Sequence, residues 1–197
     1  MPIEYEAKFL NIDKEEIRSK LSAAGFTCTM PETLYKRQVF DVPGFSSKEK
    51  WGRVRLEKDV INLSIKHTID ASRVDGTLER EINIPLGQNP VQQFEDAIRF
   101  MLECGLQPAG LHENKREIWQ KDQVEVVIDT WPGVPPYIEI EAESEEQVRK
   151  ACGELGMDFE WAKFGGILIV YEEGIGMAPE VFCALETVTF ANPPVRI

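Results

Sequence analysis

The sequence is short of histidine, with two residues, His67 and His112, and they form no H-E-x-x-H pair. Its four cysteines, Cys28, Cys104, Cys152 and Cys183, stand far apart with no C-x-x-C. That spacing argues against a zinc knuckle or a disulfide framework and for free thiols in a reducing cytosol. Positive charge is also scarce: 22 Lys+Arg against 34 Asp+Glu leave a net charge of −12. A general basic surface for nucleic acid is thereby excluded, and any polyanion must be held by a local cluster. No apolar run approaches the ~20 residues of a membrane span. The acidic start MPIEYEAKF has no apolar core of a secretory signal, so a cytoplasmic location is expected. With histidine and cysteine set aside, the chemistry must run on carboxylates, lysines and arginines.

What is present is a chain of 197 residues, 43% hydrophobic and 28% charged, enough for one domain with a real core. Three segments carry helix start and stop signals. Asp13 with Glu16 forms a capping box ahead of Ile17 and Leu21, and Gly25 ends the run. Asn89-Pro90 opens a stripe of Phe94, Ile98, Met101 and Leu102, closed by Gly105. Ser144 with Gln147 opens Val148, Ala151 and Leu155, closed by Gly156. Strand patterning marks eight further segments, roughly 3–10, 35–42, 51–58, 60–68, 77–84, 112–119, 123–130 and 136–142. Turn chemistry such as Pro43-Gly44, Asp75-Gly76 and Trp131-Pro132-Gly133 separates them. The fold class expected is α+β: an eight-stranded antiparallel β-barrel covered by about three amphipathic helices, since closure removes exposed edges.

Parity along the strands sorts the charges. Glu4, Glu6 and Lys8 share one face of their strand, with Ile3, Tyr5, Ala7 and Phe9 on the other. Arg53 and Arg55 share a face, as do Asn62, Ser64 and Lys66, then Glu79 and Glu81, then Glu139 and Glu141. Asp129 stands opposite Val126 and Ile128. The helices need the aliphatic face, so the charged face points away from them and, in a closed barrel, into the lumen. The lumen is then a polar tunnel. Like charges two apart on a strand repel by about 2 kcal/mol at an effective dielectric of ~20. Three E-x-E repeats and one R-x-R on the face opposite the aliphatics therefore suggest a site awaiting counter-ions. Oxygen ligands without histidine or cysteine favour a hard cation, Mg²⁺ or Mn²⁺. Arginine and lysine facing them suit phosphate oxygens.

The E-x-E-x-K of Glu4, Glu6 and Lys8, followed in order by Arg53/Arg55, Lys66, Glu79/Glu81, Arg116, Asp129 and Glu139/Glu141, resembles the signature of the CYTH superfamily, the triphosphate tunnel metalloenzymes. The stretch from Asp129 to Phe159 is similar to its class IV adenylate cyclase-like, thiamine triphosphatase-related branch. The resemblance covers residues 1–171 and leaves 172–197 as a C-terminal extension of unknown role. It implies an eight-stranded tunnel that binds a triphosphate with divalent metal. It implies metal ligands at Glu4, Glu6, Asp129, Glu139 and Glu141, with Glu79 and Glu81 assisting, and triphosphate ligands at Lys8, Arg53, Arg55, Lys66 and Arg116. Lys163 is a further candidate. Asn114 stands where many relatives carry lysine.

The reaction expected is metal-dependent hydrolysis of a triphosphate, with Lys66, Arg55 and Glu6 as the catalytic residues. Two alternatives stay open: cyclisation of ATP to cyclic AMP and pyrophosphate, and binding of polyphosphate or triphosphate-ended RNA without turnover. Trp51, Trp119, Trp131 and Phe40 could stack a base but read first as core or rim packing. The partner expected is a triphosphate-containing small molecule, with no DNA and no membrane, and a homodimer stays open.

Overall fold

The structure, a computed structural model, describes residues 5–46, 49–68 and 77–195. Nine strands form one sheet: β1 (Tyr5–Phe9), β2 (Thr27–Asp41), β3 (Lys50–Leu56), β4 (Val60–Thr68), β5 (Thr77–Pro85), β6 (Gln107–Lys121), β7 (Val124–Thr130), β8 (Tyr137–Ala142) and β9 (Thr187–Val188). The hydrogen-bonded order is β1-β8-β7-β6-β2-β3-β4-β5, with β9 parallel to β6. Helices are α1 (Lys14–Ala23), α2 (Pro90–Glu103), α3 (Glu145–Glu154), α4 (Ile167–Ile175) and α5 (Pro179–Cys183).

Closure into a barrel is not shown: the hydrogen-bonded order runs from β1 to β5, and among the described residues no pairing joins those two strands. Parity reports which face a side chain takes; closure depends on tilt and stagger, which parity does not encode. The helix count also rises to five. The two extra helices lie in 167–183, where the sequence has short apolar runs without a capping box.

The described residues of 1–33, 115–182 and 194–197 make one compact unit, and those of 34–114 and 183–193 another. In the first, alternate residues of the strands supply the core. Ala7, Phe9, Val126, Ile128, Ile138 and Ile140 meet Ile17 and Leu21 of α1, Val148, Ala151 and Cys152 of α3, and Leu155 just after it. Each large aliphatic buried this way contributes about 1.5–3 kcal/mol. In the second, Phe40, Val54 and Ile61 meet Phe94 and Met101 of α2.

The helix signals work as their chemistry requires. The side chains of Asp13, Asn89 and Ser144 accept from the backbone N–H groups of Glu16, Gln92 and Gln147 at 2.9, 3.2 and 3.3 Å. Gly25 and Gly105 take φ of +86° and +87°. There they close paired bonds: Phe26 N–H donates to Leu21 C=O at 2.9 Å, and Leu106 N–H to Met101 C=O at 3.2 Å. The helices thus end where the apolar stripes end, and the strands keep their charged parity uncovered by them.

Candidate functional site

Register, in the first unit, builds an acidic cluster. Glu6 pairs with Glu141 and Lys8 with Glu139 across β1 and β8. Glu125 pairs with Glu141 and Asp129 with Tyr137 across β7 and β8, and Arg116 with Asp129 across β6 and β7. All these side chains share the parity opposite the core. Carboxylate oxygens of Glu6, Glu139 and Glu141 lie within 4.8 Å of one another. Three mutually close carboxylates with no nitrogen or sulfur donor fit a hard divalent cation.

Cations of the chain stitch this cluster together. Lys8 Nζ, in a side chain 2% exposed, sits 2.8 Å from Glu6 Oε1 and 3.2 Å from Glu139 Oε1. Arg116 donates through Nε and Nη2 to both oxygens of Asp129, at 3.0 and 2.6 Å, and through Nη2 to Glu139 at 3.1 Å. The Tyr137 hydroxyl donates to Asp129 Oδ2 at 3.3 Å. Burial disfavours the Lys8 charge, but Glu139 and Glu6 outweigh it and hold the ammonium above its ordinary value. Burial likewise opposes ionisation of Glu139, and Lys8 and Arg116 overcome it, so this carboxylate is held below its ordinary range. Glu141 goes the other way. Burial, then the neighbouring Glu139 charge, push it up to about 8. One member of the trio therefore carries a proton near neutrality, which is how a crowded acidic site answers a shortage of positive charge.

The second unit carries the basic strands. Arg53 pairs with Ser64 and Arg55 with Asn62 across β3 and β4, while Trp51 pairs with Lys66. Arg53 is buried, with 9% exposure. Arg55 Nη2 meets Glu57 Oε1 at 2.5 Å, and its guanidinium lies 5.4 Å from the centre of the Tyr35 ring. Glu81 accepts from the Asn62 amide at 2.8 Å.

Among the sequence candidates, Glu6, Glu139, Glu141, Lys8, Arg116 and Asp129 come together in the first unit. Asp129 is not in the close trio; Arg116 engages both of its oxygens and Tyr137 one of them. Glu4 lies outside the described residues. Glu79 stands opposite Lys66 in the strand register, and its side chain lies outside the described residues. Lys163 pairs by backbone with Lys8, but its ammonium meets Glu173 at 3.1 Å and not the acidic trio. Trp119 belongs to the core and donates from Nε1 to Glu117 at 2.6 Å. Sequence reasoning missed Glu125, Tyr137, Arg37 and Glu57. Parity within the expected strands 123–130 and 35–42 could have found Glu125 and Arg37.

A sheet face that gathers acids from β1 and β8 with a buried lysine and arginine among them defines a polar, metal-competent strand site. The CYTH domain family model matches residues 2–156, and the chain belongs to the CYTH family. No curated protein sequence matches it. Among solved structures it is similar to a conserved hypothetical protein from Pyrococcus furiosus, with 19% identity, a TM-score of 0.67, and 85% of this chain and 99% of that one covered. It is similar to a protein from Vibrio parahaemolyticus provisionally assigned as an adenylate cyclase, at 10% identity and a TM-score of 0.69, covering 86% of this chain and 98% of that one. A provisionally assigned adenylyl cyclase from Hippeastrum, described as having a dominant triphosphatase activity, aligns at 19% identity with a TM-score of 0.52, covering 83% and 91%. At these identities the likeness is one of fold. No helix among the described residues is long and apolar enough to cross a membrane.

Proposed function

We propose that the protein is a divalent-metal-dependent hydrolase of a triphosphate, inorganic or carried on a small organic group. The observation that carries this reading is the trio of Glu6, Glu139 and Glu141, with oxygens within 4.8 Å, laced to Lys8 and Arg116. Glu6, Glu139 and Glu141, with Glu4 and Asp129, would hold Mg²⁺ or Mn²⁺. The bound cation would supply charge neutralisation of the phosphate oxygens and a lowered pKa for water. Lys8, Arg53, Arg55, Lys66 and Arg116 bind the triphosphate, with Glu79 and Glu81 in assistance. The triphosphate domain spans residues 1–171 and leaves 172–197 as an extension.

Phosphoryl transfer asks the protein for in-line placement and electrostatic relief more than for covalent chemistry. Water attacks the terminal phosphorus and the bridging P–O bond breaks. Orthophosphate forms, diphosphate departs from tripolyphosphate, and a proton passes to solvent. Arg55 stabilises charge on the transferring group, and Lys66 orients the attacking water against it. Hydrolysis is placed ahead of cyclisation because it asks only for groups that suit a phosphate chain, and the charged side chains do.

Phosphate release from tripolyphosphate and from nucleoside triphosphates, with Mg²⁺, Mn²⁺ or chelator, tests the proposal. Orthophosphate released in step with added metal supports it. Cyclic AMP with pyrophosphate from ATP would replace it with cyclisation. Tight metal-dependent binding of tripolyphosphate without turnover would reduce it to a binding module.

A further inference from the structure

The geometry points to Arg37 as an additional ligand of the phosphate chain, positioned by Asn114; this rests on the triphosphate reading above. Three placements within the second unit carry it. First, Arg37 stands directly across from Arg55 in the β2–β3 register, as Val39 does from Arg53. It therefore shares the face of Arg53 and Arg55, opposite the aliphatic face of Phe40 and Val54. Like charges directly opposite on one strand face are unfavourable, and Glu57 meets only the Arg55 member of this pair in the contacts described, so two guanidiniums at paired positions suit a multiply charged anion that bridges them.

Second, the guanidinium is held. Arg37 is 8% exposed, and its Nη2 donates to Oδ1 of Asn114, a side chain with no exposure at all. This amide fixes the direction of the fork. Third, His112, on the same face of β6 as Asn114, does not add charge. Burial and then the Arg37 charge lower it to about 4, so the imidazole is neutral under ordinary conditions. Arg37 thus places a guanidinium on this stretch of the face, and Asn114 aims it. A planar fork of this kind suits phosphate oxygens in two-pronged contact.

The test measures Kd and the kinetic constants for inorganic tripolyphosphate, with Mg²⁺, on the full chain. Arg37→Gln removes the charge, and a Kd raised by roughly tenfold or more is expected from the loss of a charge-assisted contact. Arg37→Gln with Asn114→Lys moves the cation across the observed hydrogen bond, and its Kd should return to within a few-fold of the parent. A purely structural role would not be rescued by relocating the charge. A folded Arg37→Gln protein that binds as the parent overturns the inference. Should that single variant not fold, the double variant decides alone: parent-like binding supports the assignment, and a folded double variant weakened more than tenfold refutes it. A parent protein that binds no tripolyphosphate would instead defeat the functional reading on which the assignment rests.

Discussion

Glu141→Gln should stabilise the metal-free protein while destroying its response to divalent metal. The buried Glu141 carboxyl, beside Glu139 and Glu6, is raised from 4.5 to about 8. A raised folded-state pKa makes the unfolded chain the weaker proton binder. Stability is therefore full below about 4.5, the ordinary value, and is lost as pH rises through about 8. At about 1.4 kcal/mol per pH unit, that span corresponds to roughly 5 kcal/mol if the cluster stays rigid. Relaxation and hydration of the trio reduce this, and a gain on the order of 2–5 kcal/mol is expected for the neutral isostere at pH 8. For a chain of this size the gain appears as a midpoint increase of about 5–15 °C. The assay is thermal unfolding in chelator from pH 4 to 9. Parent and variant should coincide at the acid end and diverge as pH rises. Added Mg²⁺ or Mn²⁺ should then raise the parent midpoint by linkage and leave the variant almost unmoved. A variant less stable than the parent in chelator at pH 8 would refute the reasoning, because the carboxylate would then be repaid within the fold.

Lys8→Met should behave in the opposite sense: it strips a buried cation from Glu6 and Glu139 and should cost about 3–5 kcal/mol in chemical denaturation near neutral pH. Glu117 is bound by Arg18 Nη2 at 2.6 Å and by the Trp119 indole, remote in role from the acidic trio. Glu117→Gln should lower stability by about 1–3 kcal/mol and leave kcat/KM of the folded fraction unchanged. A Cβ at Gly52 would lie 2.6 Å from Leu106 Cδ2, the end of a side chain that must shift to admit it. Gly52→Ala should therefore destabilise by no more than about 1 kcal/mol, read as a slightly lower denaturation midpoint.

Much of this architecture was legible because local chemistry and tertiary demand agree. The three capped helices form where Asp13, Asn89 and Ser144 place them, and each ends at the expected glycine. The charged parity of Glu6, Lys8, Glu139 and Glu141 was readable because a strand has a strict two-residue period and the opposite parity is aliphatic. What stayed hidden was pairing across sequence distance. Nothing local says that Arg116 engages Asp129, or that Arg37 meets Asn114, since register is set by the whole sheet. The length of β2 and β6, each 15 residues, exceeded the expected segments because their early halves carry Pro31, Pro108 and exposed polar residues. Closure, like register, is a property of the sheet's two ends and not of any strand, so no local pattern encodes it.

In the proposed reaction Glu6, Glu139 and Glu141 hold a divalent cation against a triphosphate. Anomalous diffraction from crystals grown with Mn²⁺ and tripolyphosphate locates that cation. A manganese peak within about 2.5 Å of carboxylate oxygens from that trio, with phosphate density beside it, is the expected result. Ordered tripolyphosphate at this face with manganese absent from the trio, or manganese bound only elsewhere, would contradict it.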